Sequence, residues 1–215
     1  MTKFINLHTH TFSNLSDVME VVNQYPWEFD ASVPNYSIGI HPWYIDENRL
    51  ETDLETIKQK LQLDKCLALG ECGLDKRIEI PLDLQISVFK QQLELVKETQ
   101  KPIVLHCVAA YDEVIAIKKE MKMENPMIIH GFSKNEKVAQ SLLKNGFYLS
   151  FGKYLLRNPD LEKVFTFAPE NQILLETDTI EESIYQVYEK AAEIKGISVE
   201  EMKTIVFTNF STIFS

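Results

Sequence analysis

The sequence predicts an α/β protein that folds as a TIM-type (β/α)8 barrel. Continuous apolar segments, which are typical of parallel strands buried on both faces, recur through the 215 residues. Segments of helical periodicity alternate with them, as expected for repeated βα units. Histidines or carboxylates end most of the apolar segments, and a barrel of this class carries its active site at the carboxyl ends of its strands.

Eight strands are predicted from the apolar segments. The first covers 4–8, and the second is assigned to the weaker pattern at 27–31. The other six are predicted at 36–41, 66–71, 102–106, 127–131, 147–151 and 173–178. Because a barrel of this type usually takes about 250 residues, we expect trimmed units. The short interval between His10 and His41 predicts an irregular barrel near the first βα units.

Helical periodicity lies between these strands. The helices are predicted at 50–63, 82–99, 111–121, 135–145, 182–195 and 198–214. Asn145-Gly146 ends the fourth helix, since both residue types tolerate the left-handed conformation of a helix C-cap. Pro102 and Pro126 mark the starts of strands. Glu200 and Glu201 lie in the first turn of the last helix, where the helix dipole favours negative charge.

Composition limits the classes of function. With 45% apolar residues the chain can bury one large core, so we predict a single domain over residues 1–215. The net charge of −10 offers no overall basic surface for a long nucleic-acid duplex. No signal peptide and no membrane-length apolar segment is recognisable, so a cytoplasmic protein without a membrane partner is expected. The cysteines Cys66, Cys72 and Cys107 are predicted to be buried, reduced thiols.

The histidines point to a metal site. His8 and His10 follow a short apolar strand, and strand alternation places them on one face, about 6.6 Å apart. The other three histidines of the chain, His41, His106 and His130, also end apolar segments. A single His-x-His pair occurs in ordinary protein cores as well, but five strand-end histidines, together with strand-end carboxylates, indicate a metal-dependent enzyme.

Six motifs in order resemble the TatD family of metal-dependent hydrolases. They are His8-Thr9-His10, Gly39-Ile40-His41-Pro42, Gly70-Glu71-Cys72-Gly73-Leu74-Asp75, Leu105-His106-Cys107, Ile129-His130-Gly131-Phe132-Ser133 and Leu175-Glu176-Thr177-Asp178. Gln85, Phe89 and Gln92 fit the helix after the glutamate strand, and the resemblance runs from residue 5 to residue 214. It implies a TIM-type barrel, a two-metal centre and phosphoester hydrolysis, with 3′–5′ deoxyribonuclease activity in several members.

The resemblance also implies a ligand set. His8, His10 and Asp178 would hold one divalent ion, His106 and His130 a second, and Glu71 would bridge both. Asp178 and Glu71 would be the catalytic residues, with Asp178 also taking a proton from the nucleophile. Zinc, manganese and magnesium are the candidate ions, and mixed imidazole and carboxylate ligation suits magnesium least.

Other side chains are assigned to the surroundings of the ions. We expect His41 to contact substrate or a metal ligand rather than a metal. Arg77 could bind a phosphate or be a solvated loop charge, and Lys153 is more simply explained as solvated. Glu176 shares a strand face with Asp178 and could hydrogen-bond a ligand. Aromatic residues after strand ends either stack nucleobases or cover the barrel mouth. They are Trp43, Tyr44, Phe132 and Tyr154.

Departures from the family pattern concern the substrate. Asn6-Leu7 replaces the usual aspartate ahead of the histidine pair, Lys76-Arg77 follows Asp75, and Val108 replaces an arginine. The segment 179–182 is acidic and lacks the usual proline. An acidic loop repels polyanions. We therefore expect a small phosphoester or a short single-stranded DNA end as substrate.

Three alternative functions remain open. The first histidine pair also resembles PHP-type phosphoesterases, although five histidines are few for their trinuclear centre. A lactone or amide hydrolase of the amidohydrolase group would usually carry a strand-end lysine, where this chain has Glu71. A catalytically inactive barrel would have lost ligands, and none is lost.

Overall fold

The computed structural model describes residues 2–214. Its eight strands belong to one sheet in the order β1 to β8. They are Phe4–Thr9 (β1), Val18–Gln24 (β2), Tyr36–Ile38 (β3), Cys66–Asp75 (β4), Ile103–Val108 (β5), Met127–Ile129 (β6), Phe147–Phe151 (β7) and Ile173–Leu175 (β8). The strands are parallel and form a nearly closed barrel with helices between them, so the predicted TIM-type (β/α)8 fold is confirmed.

Eight helices are present within the described residues. They are Leu50–Leu61 (α1), Leu82–Val96 (α2), Tyr111–Glu120 (α3), Glu136–Lys144 (α4), Lys153–Arg157 (α5), Pro159–Phe167 (α6), Ile184–Lys195 (α7) and Val199–Ile213 (α8). Helices α5 and α6 were not predicted from the sequence. The first is too short to show periodicity, and the second begins at a proline whose preceding Asn158 caps the helix through the N–H of Asp160.

The second strand differs from the prediction. The segment assigned to it, 27–31, overlaps a 3-10 turn at Pro26–Glu28, and the strand lies earlier in the chain. This strand was not predicted because it contains Glu20 and Asn23, and such polar residues are not typical of a buried strand. Both are buried, and both side chains accept hydrogen bonds. The partner of Asn23 is the backbone N–H of Glu71, at 2.8 Å.

The predicted irregularity near the first βα units is confirmed. Among residues 2–214, β1 and β2 are joined without a helix, and β2 and β3 are joined by a 3-10 turn alone. The pairing of β1 with β2 also shifts register between Asn6 and Thr9. These trimmed connections explain how a barrel of this class fits into 215 residues.

Backbone contacts divide the barrel into two compact units. One unit consists of residues 23–127, and the other of residues 2–22 and 128–214. The prediction of a single domain remains a prediction. In the unit 23–127, α1 and α2 pack against β4 through side chains that are at most 1% exposed, among them Ile57, Val88, Phe89 and Leu93.

In the unit formed by residues 2–22 and 128–214, helices α7 and α8 pack on β1, and α8 also packs on β8. The hydroxyl of Tyr188 accepts the N–H of Ile5 and donates to the carbonyl of the same residue, both at 3.0 Å. Asn209 donates to the carbonyl of Ile173 at 2.8 Å. Buried backbone groups on β1 and β8 are thereby satisfied by side chains from the helices.

The three cysteines are buried and free, as predicted. Burial raises the pKa of the Cys66 thiol to about 11 and that of Cys107 to about 12, so both stay protonated at neutral pH. Over residues 2–214, every helix is too short or too polar to cross a membrane.

Removing the buried hydroxyl of Tyr188 tests the packing of α7 on β1. Tyr188→Phe leaves an N–H and a carbonyl of Ile5 without this partner inside the core, so we expect unfolding free energy to fall by about 1–3 kcal/mol. Urea denaturation measures it. Tyr185→Phe is the matched control, because the Tyr185 hydroxyl bonds Asp17 at the exposed surface and its loss should cost less than about 0.5 kcal/mol. Equal losses would contradict this account.

Candidate metal centre

His8, His10 and Asp178 form a first cluster in the unit of residues 2–22 and 128–214. The two histidines lie on β1 and just after it, and Asp178 follows β8. Oδ1 of Asp178 lies 3.9 Å from Nε2 of His8 and 3.6 Å from Nε2 of His10. One ligand atom from each residue lies within 4.8 Å of the others. The predicted strand-face placement of the histidine pair thus brings both rings to one carboxylate.

Backbone hydrogen bonds to β1 and to the residue after it fix the position of Asp178. The N–H of Asp178 donates to the carbonyl of His8 at 2.9 Å, and the N–H of His10 donates to the carbonyl of Asp178 at 3.2 Å. Asp178 has a φ of 58°, in the left-handed region. Aspartate tolerates this conformation better than most residues, but it still costs about 1–3 kcal/mol. Strain of this kind is typical of functional positions.

Lys153, at the start of α5, holds the other oxygen of Asp178. Its Nζ donates to Oδ2 at 2.7 Å, so the expectation of a solvated lysine is wrong. Burial alone raises the pKa of Asp178, but the charges of His130 and His8 and the Lys153 hydrogen bond outweigh it and lower the pKa. Burial lowers the pKa of Lys153, but the hydrogen bond to Asp178 and the negative charges of Asp178 and Glu176 together outweigh it and raise the pKa. Both groups therefore stay charged at neutral pH.

His130 is held by the fully buried carboxylate of Glu176. Oε1 of Glu176 lies 3.2 Å from Nδ1 of His130 and accepts the N–H of Gly131 at 2.7 Å. A carboxylate that fixes one ring nitrogen in this way orients the other nitrogen toward a metal. The ring of His130 lies 4.3 Å from that of His8, between centroids. Glu176 therefore acts on a predicted ligand, which is one of the roles that the sequence left open.

His41, Glu71 and His106 form a second cluster in the unit 23–127. Oε1 of Glu71 lies 3.0 Å from Nδ1 of His106 and 3.2 Å from Nε2 of His41. Glu71 is 3% exposed, so its charge is largely removed from water. A buried carboxylate needs positive or hydrogen-bonding partners, and the two imidazoles supply them.

Close backbone packing places His106. Gly73 of β4 has a φ of 138°, and a Cβ atom there would lie 2.1 Å from the carbonyl oxygen of His106. Only glycine allows this approach. On the other side, Gln92 of α2 accepts the N–H of Ile40 at 2.7 Å and donates to its carbonyl at 3.2 Å. This pair of bonds fixes the chain just before His41.

The hydrogen bonds of His41 argue against direct ligation. Its Nδ1 accepts the backbone N–H of Trp43 at 3.1 Å, so the proton of the neutral ring lies on Nε2. Nε2 faces Glu71 and donates to it. A ligating nitrogen must present a lone pair, and in this tautomer neither nitrogen has one to spare. The geometry therefore favours the expected role beside the ligands.

Asp75 is a site residue that was not predicted from the sequence. Its Oδ2 lies 3.3 Å from Nε2 of His106 and accepts the indole N–H of Trp43 at 2.8 Å. Burial by itself raises its pKa, but hydrogen bonds from Trp43, Arg77 and His106 together lower it. Asp75 lies four residues after Glu71 on the same strand, so the two side chains are on the same face of that strand. This spacing could have identified Asp75 from the sequence.

The remaining predicted contacts lie at the surface or in the core. Arg77 is exposed, and its backbone N–H donates to Asp75, so a phosphate contact through its side chain remains a prediction. Lys76 pairs with Glu113 at 2.5 Å. Phe132 is 1% exposed and belongs to the core, whereas the other three aromatics are exposed. Those three are Trp43, Tyr44 and Tyr154.

Both clusters fit a divalent metal ion by their donors. Imidazole nitrogen and carboxylate oxygen bind such ions at about 2.0–2.2 Å, so two ligand atoms of one ion lie roughly 3 to 4 Å apart. The separations from Asp178 to His8 and His10 and from Glu71 to His106 fall in or at the edge of this range.

Comparison with known proteins decides the family. The family model described as "TatD related DNase" matches residues 1–215. The chain belongs to the TatD family. TatD proteins of this kind are metal-dependent hydrolases, in agreement with the donor sets of the two clusters. The resemblance inferred from the six motifs is confirmed.

Individual TatD relatives support this assignment. The chain is 33% identical to the "Uncharacterized metal-dependent hydrolase YabD" of Bacillus subtilis, over 93% of this chain and 82% of the relative. It is 30% identical to the "3'-5' ssDNA/RNA exonuclease TatD" of Erwinia billingiae, over 65% of this chain and 55% of that protein. The fold is also that of the TatD homologue YJJV from Escherichia coli, whose crystal structure has a TM-score of 0.84 at 22% identity, covering 99% of this chain and 98% of the other.

Glu176 offers a test of how the TatD site orients its histidines. Glu176→Gln keeps an acceptor for the N–H of Gly131 but loses the charge beside His130, so we expect metal affinity to fall about 10–100-fold. Competition with a chromogenic chelator measures the affinity. Glu182→Gln is the control, because Glu182 pairs with Arg157 at the surface. Unchanged affinity in Glu176→Gln would remove this carboxylate from the support of the site.

Proposed function

We propose that this TatD protein hydrolyses phosphoester bonds with two divalent ions, and that residues 1–215 act as one hydrolase domain. The substrate is a small phosphodiester or a short single-stranded nucleic-acid 3′ end. The observation that carries the proposal is the pair of imidazole and carboxylate clusters at strand ends, around Asp178 and around Glu71. In a barrel of parallel strands, the carboxyl ends of all strands lie at the same end of the barrel.

The ligand assignment follows the motif order. We assign His8, His10 and Asp178 to one ion and His106 and His130 to the other, with Glu71 shared, because one carboxylate offers two oxygens. The tautomer of His41 supports leaving it outside this set. The contacts of Asp75 with His106 and of Glu176 with His130 are those of carboxylates that orient ligating imidazoles.

Asp178 is the proposed proton acceptor. Its Oδ2 is held by Lys153 and its Oδ1 faces the histidine pair, so the group is fixed and ionised before substrate binds. Divalent ions, when bound, supply a water of lowered pKa and neutralise phosphate charge. The ammonium group of Lys153 lies next to the same carboxylate and adds a positive charge for a phosphate oxygen.

Charge and the relatives together support the substrate class. One relative carries the name of a 3′–5′ ssDNA/RNA exonuclease. The net charge of −10 opposes a long polyanion over a Debye length of about 8 Å at physiological salt. Short ends and small phosphodiesters avoid most of this repulsion. Zinc, manganese and magnesium are the candidate ions, and we expect the protein to work in the cytoplasm.

Metal content tests the ligand assignment. Metal-reconstituted protein should hold two ions per chain by elemental analysis. Glu71→Gln removes the charge that balances both cations, so it should lose activity and at least one ion. One ion or none in the wild-type protein would contradict a two-metal centre.

His41 and His106 form a matched pair for the same measurement, since both rings contact Glu71. His106→Ala should lose an ion. His41→Ala should keep both ions while turnover falls about 10–100-fold, as expected for a residue that positions a ligand. If His41→Ala loses metal as fully as His106→Ala, His41 is a ligand.

A side-by-side assay tests the substrate. We expect turnover of bis(p-nitrophenyl) phosphate and of short single-stranded 3′ ends, and poor activity on long duplex DNA. Because the protein and the duplex are both negatively charged, their repulsion should make activity on the duplex lowest at low salt, where screening is least. Processive duplex digestion without turnover of small phosphodiesters would contradict the proposal. Cleavage of lactones or amides instead would favour the amidohydrolase alternative.

A further inference from the structure

We infer that Trp43 forms a nucleobase-binding subsite, on which the base of the nucleotide at the metal centre stacks. This inference rests on the proposed function, because it supposes a nucleic-acid end at the site. It adds a residue that determines specificity and that no metal-ligand motif contains.

Trp43 is exposed, whereas the other tryptophan of the chain is covered. Its side chain is 53% exposed, although a large apolar ring gains most from burial. Trp27, the other tryptophan of the chain, stacks on Tyr25 at 4.9 Å and 10° and carries the guanidinium of Arg49 3.8 Å from its ring centroid. The protein thus covers one indole with its own groups and leaves the other open.

The open indole is also rigid. Its N–H donates to the buried Asp75 at 2.8 Å, and its backbone N–H donates to Nδ1 of His41 at 3.1 Å. Pro42 begins the 3-10 turn that carries it. A ring held at both its edge and its backbone loses little conformational entropy when a ligand stacks on it.

The position of the ring suits a nucleobase next to the reacting phosphate. Its centroid lies 5.8 Å from that of His106 and 5.1 Å from that of His41, and both contacts are near perpendicular rather than stacked. A phosphate at the Glu71 cluster would therefore place its own nucleotide within reach of the indole. Stacking on an aromatic face tolerates any base, which fits an exonuclease that proceeds along a strand.

Paired substrates test the inference. One is a short single-stranded oligonucleotide with a 3′-terminal thymidine, and the other ends in an abasic residue. The wild-type protein should prefer the first in kcat/KM by about 10–100-fold, the range expected for one base stacked on an aromatic ring. Trp43→Leu should bring this ratio close to one, and Trp43→Phe should keep part of it.

The ratio separates stacking from structural damage. Loss of the hydrogen bond to Asp75 would disturb His106 and slow both substrates alike, so it cancels in the ratio. Phe167→Leu is the control for removing an exposed aromatic, because Phe167 ends α6 and is 45% exposed. It should keep the wild-type ratio.

Fluorescence provides a readout without turnover. Trp27→Phe leaves Trp43 as the sole tryptophan, and a phosphorothioate-linked thymidine dinucleotide, which hydrolyses slowly, should quench its emission. The dinucleotide with abasic sugars should not.

The outcomes distinguish the two proposals. Equal wild-type turnover of both oligonucleotides, or an unchanged ratio in Trp43→Leu, overturns the subsite and leaves phosphoester hydrolysis standing. If the wild-type protein turns over neither oligonucleotide, fluorescence decides alone, and the proposed function fails as well if bis(p-nitrophenyl) phosphate is not turned over. Quenching by the base-containing probe then supports the subsite, and equal emission with both probes overturns it.

Discussion

The pairing of imidazoles with carboxylates taken out of water is the interaction on which the rest of this site depends. Each of the five histidines has a ring nitrogen within 3.9 Å of a carboxylate oxygen. Glu71 and Glu176 are almost completely buried, so each would be costly without a positive or hydrogen-bonding partner. The imidazoles supply part of this, and a divalent ion bound at either cluster would balance the remaining negative charge. Each cluster is therefore suited to a cation, and the proposed anionic substrate would be held through such cations.

Side-chain amides fix the backbone at or next to several of these histidines and carboxylates. Gln92 bonds both backbone groups of Ile40, and Gln85 likewise bonds both backbone groups of Asp75. An amide carries a donor and an acceptor together, so one side chain satisfies two buried backbone groups where the sheet ends. Asn6 bonds Thr177 in a related way, because it accepts the backbone N–H at 3.0 Å and donates to the side-chain hydroxyl at 2.9 Å. The asparagine that departs from the usual family residue thus has a structural role here, ahead of Asp178.

The acidic character of the chain and its proposed anionic substrate are compatible at short range. Lys153 pairs with Asp178, so a positive charge lies beside this cluster although the whole chain carries −10. Arg157 and Glu182 neutralise each other near the loop 179–182. In the proposed function, long-range repulsion and local attraction would together favour small substrates, and the exposed indole beside His106 would add a neutral surface for a base.

The sequence by itself determined the barrel class, seven of the eight strands and the histidine and carboxylate positions, because apolar runs ending in metal-binding residue types are local patterns. It did not locate β2, since Glu20 and Asn23 are acceptable in a buried strand only when backbone groups outside that strand donate to them. The tautomer of His41 and the role of Asp75 were likewise decided by tertiary structure. Each depends on a hydrogen bond between side chains or backbone groups that only folding brings within about 3 Å, and residue type alone carries no information about such a partner.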